Sequence, residues 1–235
     1  MEFSYWHDRT GANVTSRALT VPHLDEIVPN YSRPVGAALN DLAHAFTPTK
    51  RGRLVLWHGP PGTGKTWALR ALASEWRDWC RLRYVTDPER MLSDPAYLVD
   101  LIHTRPGLRE DGDDWRLVVL EDTGELLAAD AKERSGQGLS RLLNVVDGLL
   151  GESSNAFFLV TTNEDLRSVH PAVARPGRCA QALEFGPLQP DEANAWLATQ
   201  KSSSSVSVPA TLAELFAIRA GTNTAITRRR PLGFA

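Results

Sequence analysis

Leu54-Val55-Leu56-Trp57-His58-Gly59-Pro60-Pro61-Gly62-Thr63-Gly64-Lys65-Thr66-Trp67 decides the fold. An apolar run ends in a glycine-rich turn, and a helix-like segment from Trp67 to Trp76 follows at once. Strand, glycine loop and helix in that order make a phosphate-binding loop rather than a surface turn. The glycines let the backbone curl until several N–H groups point inward at a phosphate chain, and the helix adds the positive end of its dipole. Lys65 reaches the terminal phosphates. The Thr66 hydroxyl suits Mg²⁺, a hard cation that takes few protein ligands.

Outward from this loop the chain alternates short apolar runs with longer amphipathic ones. Strands are expected at 53–58, 82–86, 116–121, 157–162 and 181–185, and helices at about 35–46, 65–78, 89–104 and 137–150. Asp87-Pro88, Asp94-Pro95, Arg105-Pro106-Gly107 and Pro176-Gly177 punctuate the loops. Such alternation predicts a three-layer α/β/α fold around a five-stranded parallel sheet, with its ligand at the carboxyl ends of the strands. Beyond Gly186-Pro187 two helices, near 190–200 and 209–220, flank the serine run Ser202–Ser205 and read as a short helical lid. The domain reading is an N-terminal extension and first helix bracing the site over 1–50, a core over 51–186, and a lid and tail over 187–235.

Two further segments converge on the loop. Leu117-Val118-Val119-Leu120 runs into Glu121-Asp122, about 55 residues after the glycines, and so delivers two carboxylates to a strand's carboxyl end. One can serve a metal ion and the other can orient an attacking water. The fourth strand ends in Val160-Thr161-Thr162-Asn163, which brings a neutral amide to the same edge.

Composition sets limits on function. The chain has 235 residues and a formal net charge of −2, so nothing global points to nucleic acid or an acidic membrane as partner. The two cysteines, Cys80 and Cys179, lack metal-type spacing and read as ordinary thiols. The N-terminus lacks the apolar core of a secretory signal, and no apolar stretch is long enough to span a bilayer, so a cytoplasmic location is expected. The seven tryptophans scatter without an interleaved basic stripe, which suits core and helix packing better than stacking on bases. His58 reads as structural, and Arg228-Arg229-Arg230 as a solvated tail.

Taken together, Gly59-Pro60-Pro61-Gly62-Thr63-Gly64-Lys65-Thr66, the acidic pair after four apolar residues, Thr161-Thr162-Asn163 and His170-Pro171-Ala172-Val173-Ala174-Arg175-Pro176-Gly177-Arg178 resemble the AAA ATPases of the P-loop NTPase class. The likeness covers residues 24–186, and four motifs in the right order make it specific. The resemblance implies ATP and Mg²⁺ as cofactors, with Gly59 to Trp67 contacting nucleotide and Thr66 and Glu121 serving the metal. It implies Lys65, Glu121, Asp122 and Asn163 as catalytic residues. It also implies that Arg175 and Arg178 are arginine fingers reaching the neighbouring subunit's site in a homo-oligomeric ring that remodels a protein client. Leu24-Asp25-Glu26-Ile27-Val28 resembles the stretch that packs on the adenine.

Three departures accompany the match. Glu121 precedes Asp122, where most members carry Asp then Glu, an order similar to that of the branch related to mitochondrial respiratory-complex assembly ATPases; the whole resembles an actinobacterial group of the family. The aromatic-apolar-glycine pore loop after the second strand is missing, with Tyr97 as its nearest substitute. The lid is shorter than the family's four-helix version. These departures leave open an alternative, an ATP-binding assembly module with little or no hydrolysis. A third class, a P-loop kinase or GTPase, lacks the guanine signature, because Thr162-Asn163-Glu164-Asp165 has glutamate where lysine belongs.

Overall fold

The computed structural model of the chain describes residues 2–7, 11–17, 20–48, 52–103, 115–123, 142, 155–165 and 179–222. Along these residues run β1 (Glu2–His7), β2 (Gly11–Ser16), α1 (Leu24–Ile27), a 3₁₀ turn (Val28–Asn30), α2 (Arg33–His44), β3 (Leu54–His58), α3 (Lys65–Glu75), β4 (Cys80–Val85), α4 (Pro88–Ser93), α5 (Pro95–His103), β5 (Trp115–Leu120), β6 (Ala156–Thr162), β7 (Cys179–Glu184), α6 (Pro190–Thr199) and α7 (Leu212–Arg219). The strands form one sheet in the order β2-β1-β4-β5-β6-β3-β7, with β2 antiparallel to β1 and every other pair parallel.

Burial on both faces explains the apolar runs. Successive side chains of a strand alternate sides, so Leu54, Leu56, Val118, Leu120, Phe158 and Val160 pack on one face with Met91, Leu92, Leu98 and Leu101 of α4 and α5. Val55, Trp57, Leu117, Val119, Phe157 and Leu159 pack on the other with Leu39 of α2 and Ala68, Leu69 and Leu72 of α3. The result is the expected α/β sheet with helices on both faces.

The expected strand count of five is corrected to seven, because the first sixteen residues contribute a hairpin that extends the sheet beyond β4. Its stability comes from docking, not local pattern. Glu2, Phe3 and Ser4 lie in parallel register with Arg83, Tyr84 and Val85. The buried Arg83 guanidinium pairs with Glu2 at 3.2 Å, the Tyr97 hydroxyl donates to Ser4 Oγ at 3.4 Å, and Thr86 donates through its N–H and its hydroxyl to the Ser4 carbonyl. Each of these contacts joins residues more than 80 apart along the chain.

Tyr97 is therefore corrected as well. It is fully buried in the core beneath the hairpin, which rules it out as a pore-loop aromatic. The single helix expected at 89–104 is two, divided at Asp94-Pro95: the Asp94 carboxylate accepts from the N–H groups of Ala96 and Tyr97 and so caps α5 while α4 ends. At its other end α5 is capped by Arg116, whose Nη1 donates to the carbonyls of Leu101 and Ile102 at 2.7 Å each. Burial, and then the neighbouring Arg83 charge, pull the Arg116 guanidinium down to about 10. Of the helix expected at 137–150 only Leu142 is described, and it sits in the core.

The two C-terminal helices have their own small core of Leu188, Ala193, Trp196, Leu197, Ala210, Leu212 and Leu215. Thr211 and Glu214 form a capping box that starts α7. Asn194 clips the serine-containing connection between the helices: its amide donates to the Val206 carbonyl at 2.9 Å and accepts from the Val206 N–H at 2.8 Å. Both backbone groups of one loop residue thus depend on one side chain. Asn194→Ala is expected to lose roughly 1–2 kcal/mol of stability, the cost of leaving part-buried polar groups without their partner. Urea unfolding checks this, and a wild-type midpoint would refute it.

Candidate functional site

The glycine loop leaves β3 in a backbone path that side chains rarely follow. Gly59 has φ +127° and lies so close to β7 that a Cβ there would meet the Phe185 carbonyl at 2.3 Å. Gly64, at φ +93°, is the N-cap of α3, and its carbonyl accepts from the Tyr31 hydroxyl at 2.9 Å. Behind it, α1 sends two side chains into the core while the 3₁₀ turn stays partly exposed. Leu24 and Ile27 are buried with Ala68 and Leu69, and no residue from 24 to 28 lines the cavity described next.

A cavity of about 530 Å³ opens over this loop at the carboxyl ends of β4, β5 and β6. Pro61, Gly62, Thr63, Gly64, Lys65, Thr66 and Trp67 line it on one side, with Glu121, Asp122 and Asn163 across from them. Gly59 and Pro60 do not reach it. They work behind the wall, where their carbonyls accept from Lys65 Nζ at 2.6 and 3.1 Å and Pro60 also accepts from the Thr63 hydroxyl at 2.9 Å. Burial pulls the Lys65 ammonium below the usual lysine range, while Asp122 and Glu121 pull it back up.

The two acids have separate contacts. Glu121 Oε1 accepts from the Thr66 hydroxyl at 2.7 Å, so the first residues of α3 and the end of β5 are joined through hard oxygen atoms. This donor set fits Mg²⁺, which prefers carboxylate and hydroxyl oxygens and needs few of them from protein. Asp122 turns the other way: its Oδ1 accepts from Asn163 Nδ2 at 2.7 Å. Its backbone has φ +56°, a left-handed conformation that costs a side-chain-bearing residue on the order of 1 kcal/mol and that Asp tolerates better than most. Bonds from Asp122 N–H to the Thr161 hydroxyl and from Thr123 N–H to the Thr161 carbonyl hold the turn in place.

Sequence reasoning missed five lining residues: Tyr84, Thr161, Leu212, Ala213 and Phe216. The last three come from α7, and Ala213 N–H donates to the Gly62 carbonyl at 2.9 Å, a contact across some 150 residues for which no local motif exists. Trp67, read as packing among the other tryptophans and also as a nucleotide contact, is half-exposed at the cavity wall with the Arg70 guanidinium 5.4 Å from its ring centroid. His58 is buried outside the cavity, and burial lowers its pKa. Cys80 and Cys179 are not disulfide-bonded, and their thiols donate to the carbonyls of Arg81 and Gln181. Arg175 and Arg178 lie outside the described residues, as does Arg228-Arg229-Arg230. Among the described residues no helix is long and apolar enough to cross a membrane.

Comparison with known proteins adds an independent finding. Residues 55–187, more than half of the chain, match the model of the ATPase family associated with various cellular activities (AAA). Over 153 residues the chain is 32% identical to the probable mitochondrial chaperone bcs1 of Schizosaccharomyces pombe, covering 62% of this chain and 30% of that protein. It is 31% identical over 143 residues to the ATPase family gene 2 protein of Saccharomyces cerevisiae, covering 57% and 17%. It is 34% identical over 140 residues to the mitochondrial chaperone BCS1 of Homo sapiens, covering 56% and 30%. The chain thus spans less than a third of the length of these curated relatives. A chain of the solved E. coli MS115-1 HORMA:CdnC:Trip13 complex superposes with a TM-score of 0.52 at 16% identity, covering 78% of this chain and 66% of that one, a likeness of fold.

Lys65 is the lysine in the cavity wall, and the Thr63 and Thr66 hydroxyls of the same loop already donate to the Pro60 carbonyl and to Glu121. Lys65→Ala is therefore expected to weaken ATP binding by at least tenfold, about 1.4 kcal/mol or more. Calorimetric titration giving wild-type affinity would refute the phosphate-loop assignment.

Proposed function

The chain belongs to the AAA family of ATPases, and we propose that it binds ATP along the cavity-lining loop Pro61–Trp67, with Gly59 and Pro60 shaping that loop from behind, and hydrolyses it with Mg²⁺, as one subunit of a homo-oligomer acting on a protein client. The observation that carries this reading is the division of the acids, Glu121 on Thr66 and Asp122 on Asn163. Bound Mg²⁺ would supply charge neutralisation at the β- and γ-phosphate oxygens. Thr66 and Glu121 would hold it. Lys65 exchanges its two carbonyl partners for phosphate oxygens. Asp122, oriented by the Asn163 amide and by its own left-handed backbone, accepts a hydrogen bond from the attacking water and draws off its proton.

The arginines enter through resemblance. A guanidinium is always charged and forks onto two phosphate oxygens, so Arg175 and Arg178 supplied by a neighbouring subunit would stabilise the charge that develops in transfer. A second reading, an ATP-binding assembly module that barely turns over, is favoured by the order Glu121 then Asp122 and by the small C-terminal unit, whose described helices are α6 and α7 alone. Steady-state turnover of purified protein separates the two.

Two outcomes are expected of the hydrolytic reading. Asp122→Asn keeps ATP bound within about twofold yet loses at least a hundredfold in kcat, because the amide preserves shape but cannot accept the proton; full activity in this variant would overturn the assignment. Arg175→Ala and Arg178→Ala each leave ATP affinity nearly intact and lower hydrolysis. Mixing inactive Lys65→Ala protein with inactive Arg175→Ala protein then restores activity, since some interfaces pair an intact loop with intact fingers. A mixture that stays inactive, together with specific activity independent of concentration down to monomeric samples, refutes catalysis between subunits.

A further inference from the structure

Two carbonyls of the glycine loop are gripped by residues far from it in sequence. The Gly62 carbonyl accepts from the Ala213 N–H in the first turn of α7 at 2.9 Å. The Gly64 carbonyl accepts from the Tyr31 hydroxyl at 2.9 Å, besides taking the Ala68 N–H at 3.0 Å as the first helical bond of α3. Lys65 and Thr63 bond elsewhere, to the carbonyls of Gly59 and Pro60, and each of these precedes a proline, whose peptide has no N–H to offer. Gly62 and Gly64 instead precede Thr63 and Lys65. A trans peptide points its N–H opposite to its carbonyl, and no described peptide bond is cis. Tyr31 does not line the cavity, so drawing the Gly64 carbonyl toward it turns the Lys65 N–H the other way, to the side of the cavity that Lys65 lines.

Tyr31 is itself held in place. It follows the 3₁₀ turn, is buried, and meets the Phe185 ring edge-on with centroids 5.7 Å apart. Its ring packs so close to Gly64 that a Cβ there would meet Tyr31 Cε1 at 2.9 Å, and Leu212 Cδ2 of α7 at 3.1 Å. The two outside pieces are also tied to each other. Trp196 Nε1 of α6 donates to Asn30 Oδ1 at 2.7 Å, and the Arg33 N–H at the start of α2 donates to Glu192 Oε1 of α6 at 3.2 Å. Tyr31 and Ala213 both lie outside the matched segment 55–187, one before it and one after.

We propose that Tyr31 is a positioning residue of the phosphate loop, which holds the Gly64–Lys65 peptide with its N–H toward the nucleotide, and that the first turn of α7 does the same for Gly62–Thr63. The brace acts through the loop backbone, because the Tyr31 hydroxyl is spent on Gly64 outside the cavity. Amides set in advance meet phosphate without reorganising, and that saving appears as affinity. The role rests on the ATP-binding reading and deepens it. Loop amides cradle the α- and β-phosphates, which ATP and ADP share, so both nucleotides depend on the brace alike.

The test titrates wild type and Tyr31→Phe calorimetrically with ATP and with ADP, and follows urea unfolding of the nucleotide-free proteins. Tyr31→Phe keeps the ring and removes the hydroxyl. It is expected to bind both nucleotides roughly three- to tenfold more weakly, by the same factor for each, which is the size of one lost hydrogen bond. Wild-type affinity for both overturns the proposal; if the urea midpoint falls at the same time, Tyr31 is a core residue and nothing more. A loss for ATP with ADP unchanged overturns it as well, since the effect would then sit at the γ-phosphate and not at the shared ones. Should Tyr31→Phe fail to fold, Ala213→Pro decides by the same criterion: it removes the N–H that holds Gly62, at a first-turn position where a helix tolerates proline. Wild-type protein that binds neither nucleotide refutes the ATP-binding reading and the brace with it, whereas the other adverse outcomes refute the brace alone.

Discussion

Two-sided burial of the central strands is the constraint on which the remaining features depend. Leu54 and Leu56 face one helical layer while Val55 and Trp57 face the other, and β5 and β6 follow the same alternation. A slip of one residue would send every side chain of a strand to the opposite layer, so the parallel register is fixed by packing on both sides at once. Fixed register aligns the strand ends. Gly59, Glu121 and Asn163 arrive at one edge because Leu56 pairs with Val160 and Leu120 pairs with the same Val160 from the other side.

At that edge the chemistry is one of oxygen donors and one ammonium held ready. Lys65 rests on carbonyls of its own loop, and the two carboxylates rest on Thr66 and Asn163 rather than on the lysine. Neutral hydrogen bonds hold each charged group in place without cancelling its charge. On the proposed ATPase reading such groups would pass to phosphate and metal with few partners lost.

The legible and illegible parts of the sequence divide along a physical line. The glycine loop, Glu121-Asp122 and Asn163 could be read because each is the local continuation of an apolar strand, and strand ends meet in a parallel sheet whatever lies between. The N-terminal hairpin could not. Its residues alternate weakly, and the interactions that hold it, Glu2 on Arg83 and Ser4 on Tyr97 and Thr86, exist only after β4 and α5 are in place. Tyr97 was misread for the same reason, since burial under a hairpin leaves no mark on the residues around it. Leu212, Ala213 and Phe216 reach the cavity through a separate pair of helices, so neither spacing nor composition connects them with Gly62. Asp94-Pro95 shows the reverse case, a breaker visible in the sequence whose weight against an otherwise continuous apolar period was set too low.

Trp67 gives the molecule an optical property. Among the tryptophans whose side chains are described, Trp57, Trp76 and Trp196 are buried and Trp79 and Trp115 partly so, whereas Trp67 is 50% exposed with a guanidinium over its ring. Its emission lies to the red of the buried indoles, and aqueous quenchers such as iodide reach it first. Of these indoles it is also the one on the cavity wall. Among these six indoles, therefore, the red edge of the emission belongs to the site and the blue edge to the core that supports it.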